Sequence, residues 1–374
     1  MKIFFVMFLS KLSLLNYKNY EQVEISPSSK INCFIGNNGV GKTNLIDAIY
    51  YLSFCKSYFN PIDNQNIKHG EQFFVIQGLY DNGESTDEIY CGIKRNQKKQ
   101  FKRNKKEYTK LSNHIGLIPL VMVSPADIKL IVEGSEDRRN FINSVISQYD
   151  KPYLDNLINY NRALKHRNNL LKSIAFSGKF DADSIDVWDE QLVRYGIEIY
   201  KKRIEYINEF IPIFQKYYNF IAPEKEKVVL EYNSHLHDND FYMQLKRSFE
   251  KDKILQYTTV GVHKDDLNLL LSDYPINKIG SQGQQKTYLV ALKLAQFDFL
   301  KEINKANPIM LLDDIFDKLD ANRVKKIIEL VAENHFGQIF ITDKNLESLQ
   351  NILNSIDIEN RIFLIDDASN INLV

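Results

Sequence analysis

The sequence predicts an α/β protein with mixed and parallel sheets, interrupted by a mostly helical second lobe. Three observations predict this. A short apolar strand, Ile31 to Ile35, runs into a glycine-rich loop and then into helical spacing at Leu45, Ile46, Ile49 and Leu52. A second apolar strand, Ile309 to Leu312, ends in two carboxylates, and strand and helix patterns alternate after it, as in a parallel sheet. Between these two strands lies a long stretch of helical periodicity.

Composition narrows the class further. The chain has 374 residues, 44% of them hydrophobic and 26% charged, so it can bury a large core without disulfides or metals. Its formal net charge is zero, so a nucleic-acid partner would have to be met by a local basic patch. The three cysteines, Cys33, Cys55 and Cys91, are odd in number and lack CxxC spacing. That argues against a disulfide framework or zinc site and favours a reducing, cytoplasmic setting. Met1 to Leu9 resembles the start of a secretory signal, but the apolar run is short, Lys11 follows it, and no small-residue cleavage site is present. Met1 or Met7 could be the natural start. No later stretch reaches the roughly 18 apolar residues of a spanning helix, so no membrane partner is expected.

In chain order, strands are expected at Phe8 to Leu15, Val23 to Ser26 and Ile31 to Ile35, then a helix from Asn44 to Phe54. Further strands are expected at Phe73 to Tyr80, Ile89 to Ile93 and Leu117 to Val123. Ser135 is placed to cap a helix whose first turn carries Glu136 and Asp137, where carboxylates suit the helix dipole. Leu154, Leu157, Ile158, Leu164, Leu171 and Ile174 keep helical spacing up to a breaker between Ser177 and Asp183, and a second helix covers Val187 to Phe214. Two long helices joined by a polar loop read as an antiparallel arm. After Pro223 the pattern is mixed, with a loop then helix over Gly280 to Ile303, helices at Asn322 to Asn334 and Leu346 to Ile356, and a strand at Gln338 to Ile341. The expected division is 1–125 and 255–374 for the two parts of one α/β body, and 126–254 for the helical lobe.

The residues with chemistry stand at the ends of these elements. Gly36, Asn37, Asn38, Gly39, Val40, Gly41, Lys42 and Thr43 match the phosphate-loop pattern GxxxxGK[ST] in full. Glycines let the backbone N–H groups turn toward phosphates, and the helix that follows adds its positive end. Lys42 would reach the β and γ phosphates of ATP, and Thr43 would ligate Mg2+. Asp313 suits the outer-sphere magnesium role, and Asp314 would act on the attacking water as base or orienter, so Lys42 and Asp314 are the catalytic candidates. Between loop and acids lies Ser281, Gln282, Gly283, Gln284 and Gln285, followed by Lys286-Thr287 and a helix. It looks like a variant of the ABC signature, which in that class meets the γ phosphate held by a second subunit. The physics is again anion binding at a helix start. These motifs make the expected body an ABC-type ATPase head.

Further strings carry a closer resemblance. They are Asn16-Tyr17-Lys18-Asn19-Tyr20, the loop extended through Asn44, Val123-Ser124-Pro125-Ala126-Asp127, and Gly134 to Arg139. Tyr160 to Lys165 with Arg167 to Leu171, Gly261-Val262-His263-Lys264-Asp265-Asp266, and Leu312 to Phe316 with Leu319-Asp320 complete the set. Over nearly its whole length the chain resembles the RecF family of bacterial DNA replication and repair proteins. The resemblance implies a slow, DNA-stimulated ATPase that dimerises head to head on ATP and binds gapped DNA, single- and double-stranded. It also implies RecO- and RecR-type partners in loading the recombinase RecA. Val262 and Lys264 replace the family's usual proline and arginine, Ala126 its glutamate, and Lys286 its arginine, which loses a planar fork. Thr342-Asp343 stands where transporter ATPases carry a switch histidine, and Ser124 stands near the place of their glutamine loop.

Lys94 to Lys110 holds nine basic residues and one acid, Glu107, with Phe101 and Tyr108 interleaved. It reads as a hairpin with its tip at Arg103-Asn104-Lys105, either a DNA contact through Lys102, Arg103, Lys105 and Lys106 or a solvated loop without a partner. Arg138, Arg139, Lys165 and Arg167 face DNA or form ion pairs at the base of the arm. His263 lacks a second ligand at metal spacing and is expected to be structural. A transporter ATPase would show an LSGGQ string and a switch histidine and would lack a long helical insertion. A scaffold that keeps ATP as a structural ligand remains the alternative.

Overall fold

The computed structural model describes residues 7–177, 182–222, 226–237, 240–314, 324, 326–327, 329–330, 336–353, 358–368 and 370–373. Residues 1–6, most of the expected helix at 322–334, Ile315-Phe316 and Leu319-Asp320 lie outside these. The described residues form two compact units. The first combines 1–127 and 286–374 with Phe220–Ala222, and the second combines 128–219 with 223–285.

The first unit contains two six-stranded sheets. One is a ladder of neighbours: β1 (Phe8–Tyr17), β2 (Tyr20–Ile25), β4 (Phe73–Asp81), β5 (Thr86–Lys94), β6 (Gln100–Arg103) and β7 (Lys106–Glu107), in the order β2-β1-β4-β5-β6-β7 and antiparallel throughout. Burial alternates along β4 and β5, so one face of each packs on the core. The second sheet holds β3 (Ile31–Ile35), β8 (Leu120–Val123), β12 (Ile309–Leu312), β13 (Ile339–Asp343), β14 (Asn360–Asp367) and β15 (Asn370–Leu373). Its order is β15-β14-β3-β13-β12-β8, parallel except for the β14–β15 pair. β3, β8, β12 and β13 are buried at every residue, which explains their mostly apolar runs, interrupted by Asn32 in β3 and by Thr342-Asp343 at the end of β13. Helix α1 (Lys42–Phe54) shares one hydrophobic core with both sheets and packs on β4 and β13 among their strands.

The second unit is organised by long helices. α2 (Ser135–Ile146) starts at Ser135, with Gly134 at the cap position, so the expected cap lies one residue inside the helix. α3 (Lys151–Ser177) and α4 (Ala182–Ile221) form the arm. Arg167 of α3 meets Asp189 of α4, Tyr160 lies against Gly196, and Tyr153 bonds Arg203. One number falls as the other rises, so the helices run antiparallel. α4 extends beyond the expected Val187 to Phe214 at both ends, and Pro212 sits inside it. β9 (Val228–Asn233), β10 (Asp266–Leu271) and β11 (Tyr274–Pro275) make a small antiparallel sheet that packs on α2 through β10, and α5 (Phe241–Leu255) packs on α3.

The lobe therefore does not end near 254 but continues to Gln285, because β10 pairs with β9 and its flanks are tied to the arm. Arg203 is fully enclosed and donates to Asp265 Oδ2 at 2.7 Å and to Val262 O at 2.8 Å. Arg167, also enclosed, donates to Asp189 at 2.6 Å and to Asp252 at 2.7 Å. Arg138 makes a bidentate pair with Asp266 at 2.7 and 2.9 Å, and Arg139 donates to Asp265 O at 2.8 Å. Of the four basic residues left open between DNA and ion pairs, these three are ion-paired or bonded within the unit, and Lys165 is exposed.

His263 is held from both sides, with Tyr160 Oη 2.8 Å from Nδ1 and Thr258 O 3.0 Å from Nε2. Nε2–H donates to the carbonyl and Nδ1 accepts from the phenol, which is a neutral imidazole. Burial lowers its pKa to about 4. A histidine whose folded pKa is depressed contributes stability above its unfolded pKa of about 6.5, and that stability is lost as pH falls toward 4. Between those values the wild type should lose unfolding free energy faster than His263→Gln, by up to about 1.4 kcal/mol per pH unit. Parallel urea-derived stabilities of the two proteins over this window would contradict it.

Candidate nucleotide site

The site is assembled at the C-terminal ends of parallel strands. β3 delivers Gly36, β13 delivers Thr342 and Asp343, β12 delivers Asp313, and β8 delivers Ser124. Ligands bind at such strand ends in open parallel sheets. The adjacency is tight, since Asp313 N–H donates to Val123 O at 2.9 Å and Gly36 N–H to Asp343 O at 3.3 Å.

The phosphate loop leaves β3 over exposed Asn37, Asn38 and Gly39 and enters α1 at Lys42. Gly39 and Gly41 have φ of 85° and 119°, which side-chain-bearing residues rarely adopt. At Gly41 a Cβ would also stand 2.6 Å from Asn19 Nδ2 and 2.7 Å from Tyr20 Oη. Helix α1 has no side-chain cap at its N-terminus. Its first amides are thus left for an outside acceptor, which is the condition for an anion site. Lys42 is buried, and its ammonium rests on Gly36 O at 2.8 Å and Asn37 O at 3.0 Å, across the mouth of the loop.

The acidic pair is joined to this loop through two hydroxyls. Thr43 Oγ1 donates to Asp313 Oδ1 at 3.0 Å, and Thr342 Oγ1 reaches the same oxygen at 2.9 Å. Thr342 Oγ1 also accepts from Asp314 N–H at 2.8 Å and lies 3.3 Å from Asp314 Oδ1. Asp314 has φ of 43°, a left-handed turn that ends the strand and that aspartate tolerates. Burial raises the pKa of Asp313 above the ordinary carboxylate value, opposed by the two hydroxyl bonds. In the sequence Thr342 has no role beyond filling the place of a histidine. Its hydroxyl bridges both carboxylates, and only the parallel register of β12 and β13 brings it there.

The donor set suits magnesium. Among the described residues no group of three or more His, Cys, Asp or Glu could cage a metal ion. A hydroxyl and one carboxylate beside a phosphate loop is the sparse protein ligation that Mg2+ uses with nucleotide phosphates and water.

A second layer braces the loop. Asn19, in the β1–β2 turn, donates to Val40 O at 2.9 Å and accepts from Asn44 Nδ2 at 2.7 Å. The turn is anchored by Asp47 of α1, a fully buried carboxylate bonded to Tyr17 Oη (2.6 Å), Ser57 Oγ (2.7 Å), Tyr58 N–H (2.7 Å) and the Lys18 ammonium (2.6 Å). An aspartate on the apolar face of α1 was the one signal in the sequence. Beside the turn, an open groove of about 810 Å³ is lined by Lys18, Asn19, Asn64, Asn66, Lys68 and Arg95, among others. Ser124 is buried and its Oγ accepts from Ala126 N–H at 3.3 Å. The neighbouring Asp127 has the wider reach: it accepts from Ser124 N–H at 2.8 Å and from Tyr58 Oη, and pairs at 3.0 Å with buried Lys293.

The signature residues Ser281 to Gln285 lie in the second unit, at the start of α6 (Gln282–Asn304). Ser281 and Gln284 form a reciprocal cap: Ser281 N–H donates to Gln284 Oε1 at 2.7 Å, and Gln284 N–H donates to Ser281 Oγ at 3.2 Å. Ser281 and Gln282 are exposed, while Gly283, Gln284, Gln285 and Lys286 are half-buried.

The basic stripe is partly spent on structure. β6 and β7 turn at Asn104 and Lys105, both at positive φ, as a tight hairpin requires. Arg103, one of the expected DNA contacts, forms a bidentate pair with Asp87 at 3.0 and 2.7 Å, and its side chain remains 42% exposed. Lys99 pairs with Asp63 at 2.9 Å, Phe101 is core, and Tyr108 packs on Phe101 and His114. The aromatics are there for the fold. Lys105 and Lys106 are exposed at the turn, and Lys102 lies over the Tyr90 ring.

Residues 8–361 match the model of the RecF/RecN/SMC N-terminal domain. The chain is 58% identical to the DNA replication and repair protein RecF of Bacteroides thetaiotaomicron, over 97% of this chain and 98% of that one. It belongs to the RecF/RecN/SMC family, in its RecF branch. To RecF of Flavobacterium johnsoniae it is 51% identical over 96% of this chain and 99% of that one. A solved RecF–ATP structure, described as a recombination mediator protein in the RecFOR pathway, superposes with a TM-score of 0.89 at 29% identity, covering 100% of this chain and 99% of the other. An Smc head domain from Pyrococcus furiosus shares the fold, with a TM-score of 0.56 at 16% identity over 98% of this chain and 96% of that one. The fold is therefore that of the ABC-type ATPase head with a helical second lobe. No helix among the described residues is long and apolar enough to cross a membrane.

Replacing Thr342 by valine keeps volume but removes the bridging hydroxyl. ATP turnover should fall about 10- to 100-fold, and more Mg2+ should be needed for half-maximal rate. Wild-type turnover with an unchanged magnesium dependence would show that the bridge does not orient the acids.

Proposed function

We propose that this protein is an ATP-dependent DNA-binding protein of recombinational repair and replication, working in the cytosol. ATP draws two copies together head to head, and the closed dimer binds DNA at single-strand gaps. There it helps RecO- and RecR-type mediators load RecA, and slow, DNA-stimulated hydrolysis releases it. The observation that carries this reading is the full-length likeness to RecF in a chain that retains phosphate loop, signature and acidic pair.

In this reading the loop amides from Gly36 to Thr43 and the open end of α1 hold the phosphates, and Lys42 moves from the loop carbonyls to the β and γ oxygens. Thr43 Oγ and Asp313 would hold Mg2+, which when bound neutralises charge between those phosphates. Asp314 orients or deprotonates the attacking water, with Thr342 setting its backbone and carboxylate. In the groove beside Asn19, the exposed Asn64 would offer its amide to the nucleoside. Ser281, Gln282, Gly283, Gln284 and Gln285 serve the ATP of the other copy, because an exposed serine hydroxyl at the positive end of a helix suits an anion. Lys102, Lys105 and Lys106 contact DNA phosphates without reading sequence.

Light scattering tests the dimer. The mass should double with ATP and magnesium in the wild type and stay monomeric in Ser281→Arg; a mass indifferent to ATP would leave only an ATP-binding scaffold. For the DNA contact, the double substitution Lys105→Ala, Lys106→Ala should weaken binding equally across sequences. It should also reduce the salt slope of log K by about 1–2. An unaltered slope would remove the hairpin from the interface.

A further inference from the structure

The signature cap does not stand alone. Gln284 donates from Nε2 to Glu226 Oε1 at 2.7 Å, and the other carboxylate oxygen, Oε2, accepts from Tyr218 Oη. Tyr218 is fully buried on α4, the second helix of the arm. Gln284 is used at both ends of its amide, since its Oε1 already accepts from Ser281 N–H at 2.7 Å. Gln285 adds a bond from Nε2 to Gly280 O at 3.1 Å on the other side of the cap. A continuous line of hydrogen bonds thus runs from α4 through one carboxylate to the residue that begins the signature.

We infer that Glu226 is a positioning residue for the signature, latching Gln284 to Tyr218 of α4 so that Ser281 presents its hydroxyl outward. The polarity of the chain supports this. Ser281 Oγ accepts from Gln284 N–H at 3.2 Å, which leaves the hydroxyl proton to donate to a phosphate oxygen. Without Glu226, the Gln284 amide is freed to rotate, and Ser281 loses the acceptor that fixes its backbone. A carboxylate acceptor makes the Gln284 bond charge-assisted, so it is the strong link of the line. The position also ties the signature to the set of the arm: a shift of α4 at Tyr218 reaches Ser281 through two side chains. The inference rests on the reading that Ser281 meets ATP held by a second copy.

The experiment is an ATP titration of dimer mass with the full chain, comparing wild type, Glu226→Ala, Glu226→Gln, Tyr218→Phe and Ser281→Arg. Glu226→Ala should need about tenfold more ATP to dimerise, the worth of one well-made hydrogen bond. Binding of a fluorescent ATP analogue to the dilute monomer should stay unchanged. Glu226→Gln, which can still accept from Gln284, should recover most of the effect, and Tyr218→Phe should fall between. Thermal unfolding within a few degrees of wild type for Tyr218→Phe separates loss of the latch from loss of fold. Wild-type dimerisation by both Glu226→Ala and Tyr218→Phe, with Ser281→Arg monomeric, overturns the latch alone. Normal dimerisation by Ser281→Arg removes the trans-signature reading, and the latch falls with it.

Discussion

Asp313 is a carboxylate withdrawn from water at the end of a buried strand, and the hydroxyls of Thr43 and Thr342 make that position tolerable. A buried acid without such partners would be driven to its neutral form. Thr43 comes from the first turn of α1 and Thr342 from within β13, so the arrangement depends on the parallel register of β3, β13 and β12. A one-residue slip of β13 would turn Thr342 to the opposite face and leave both carboxylates without their shared hydroxyl. Loop, acids and sheet are in this sense one object, and the apolar runs that build the sheet also set the spacing of the site.

The helical unit solves a different problem. Two arginines, Arg167 and Arg203, are enclosed with carboxylate partners, and a buried charge without its partner is far more costly than the intact pair. The contacts are specific in register, joining α3, α4, α5 and the segment from Thr258 to Asp266. His263 belongs to the same assembly as a neutral, doubly bonded ring. Such a polar interior gives the arm one defined geometry, which matters where Tyr218 and Glu226 hold the signature cap.

The basic stripe shows where reading by composition fails. Its charges and aromatics are alike in the sequence, but period-two alternation sends Phe101 inward and lets Asp87 take Arg103 from the neighbouring strand. At the hairpin turn itself, Lys105 and Lys106 are left exposed together. The same cause moved the boundary of the helical lobe, because pairing of β10 with β9 is a long-range contact that no local pattern announces.

The fold class, and the strings that mark a phosphate loop, an acidic pair and a signature, were legible in the sequence alone, since each rests on a local rule: an apolar strand, a glycine that takes positive φ, a loop that opens a helix. Local spacing also placed the two arm helices, though not their full length. What the tertiary structure decided was every partner drawn from a distant segment. Thr342 between the acids, Asn19 and Asp47 bracing the loop, Asp127 with Lys293, and Glu226 behind Gln284 are ordinary polar residues in the sequence. They gain their roles because burial at that place requires each polar group to find a partner, and only the folded chain shows which one is within reach.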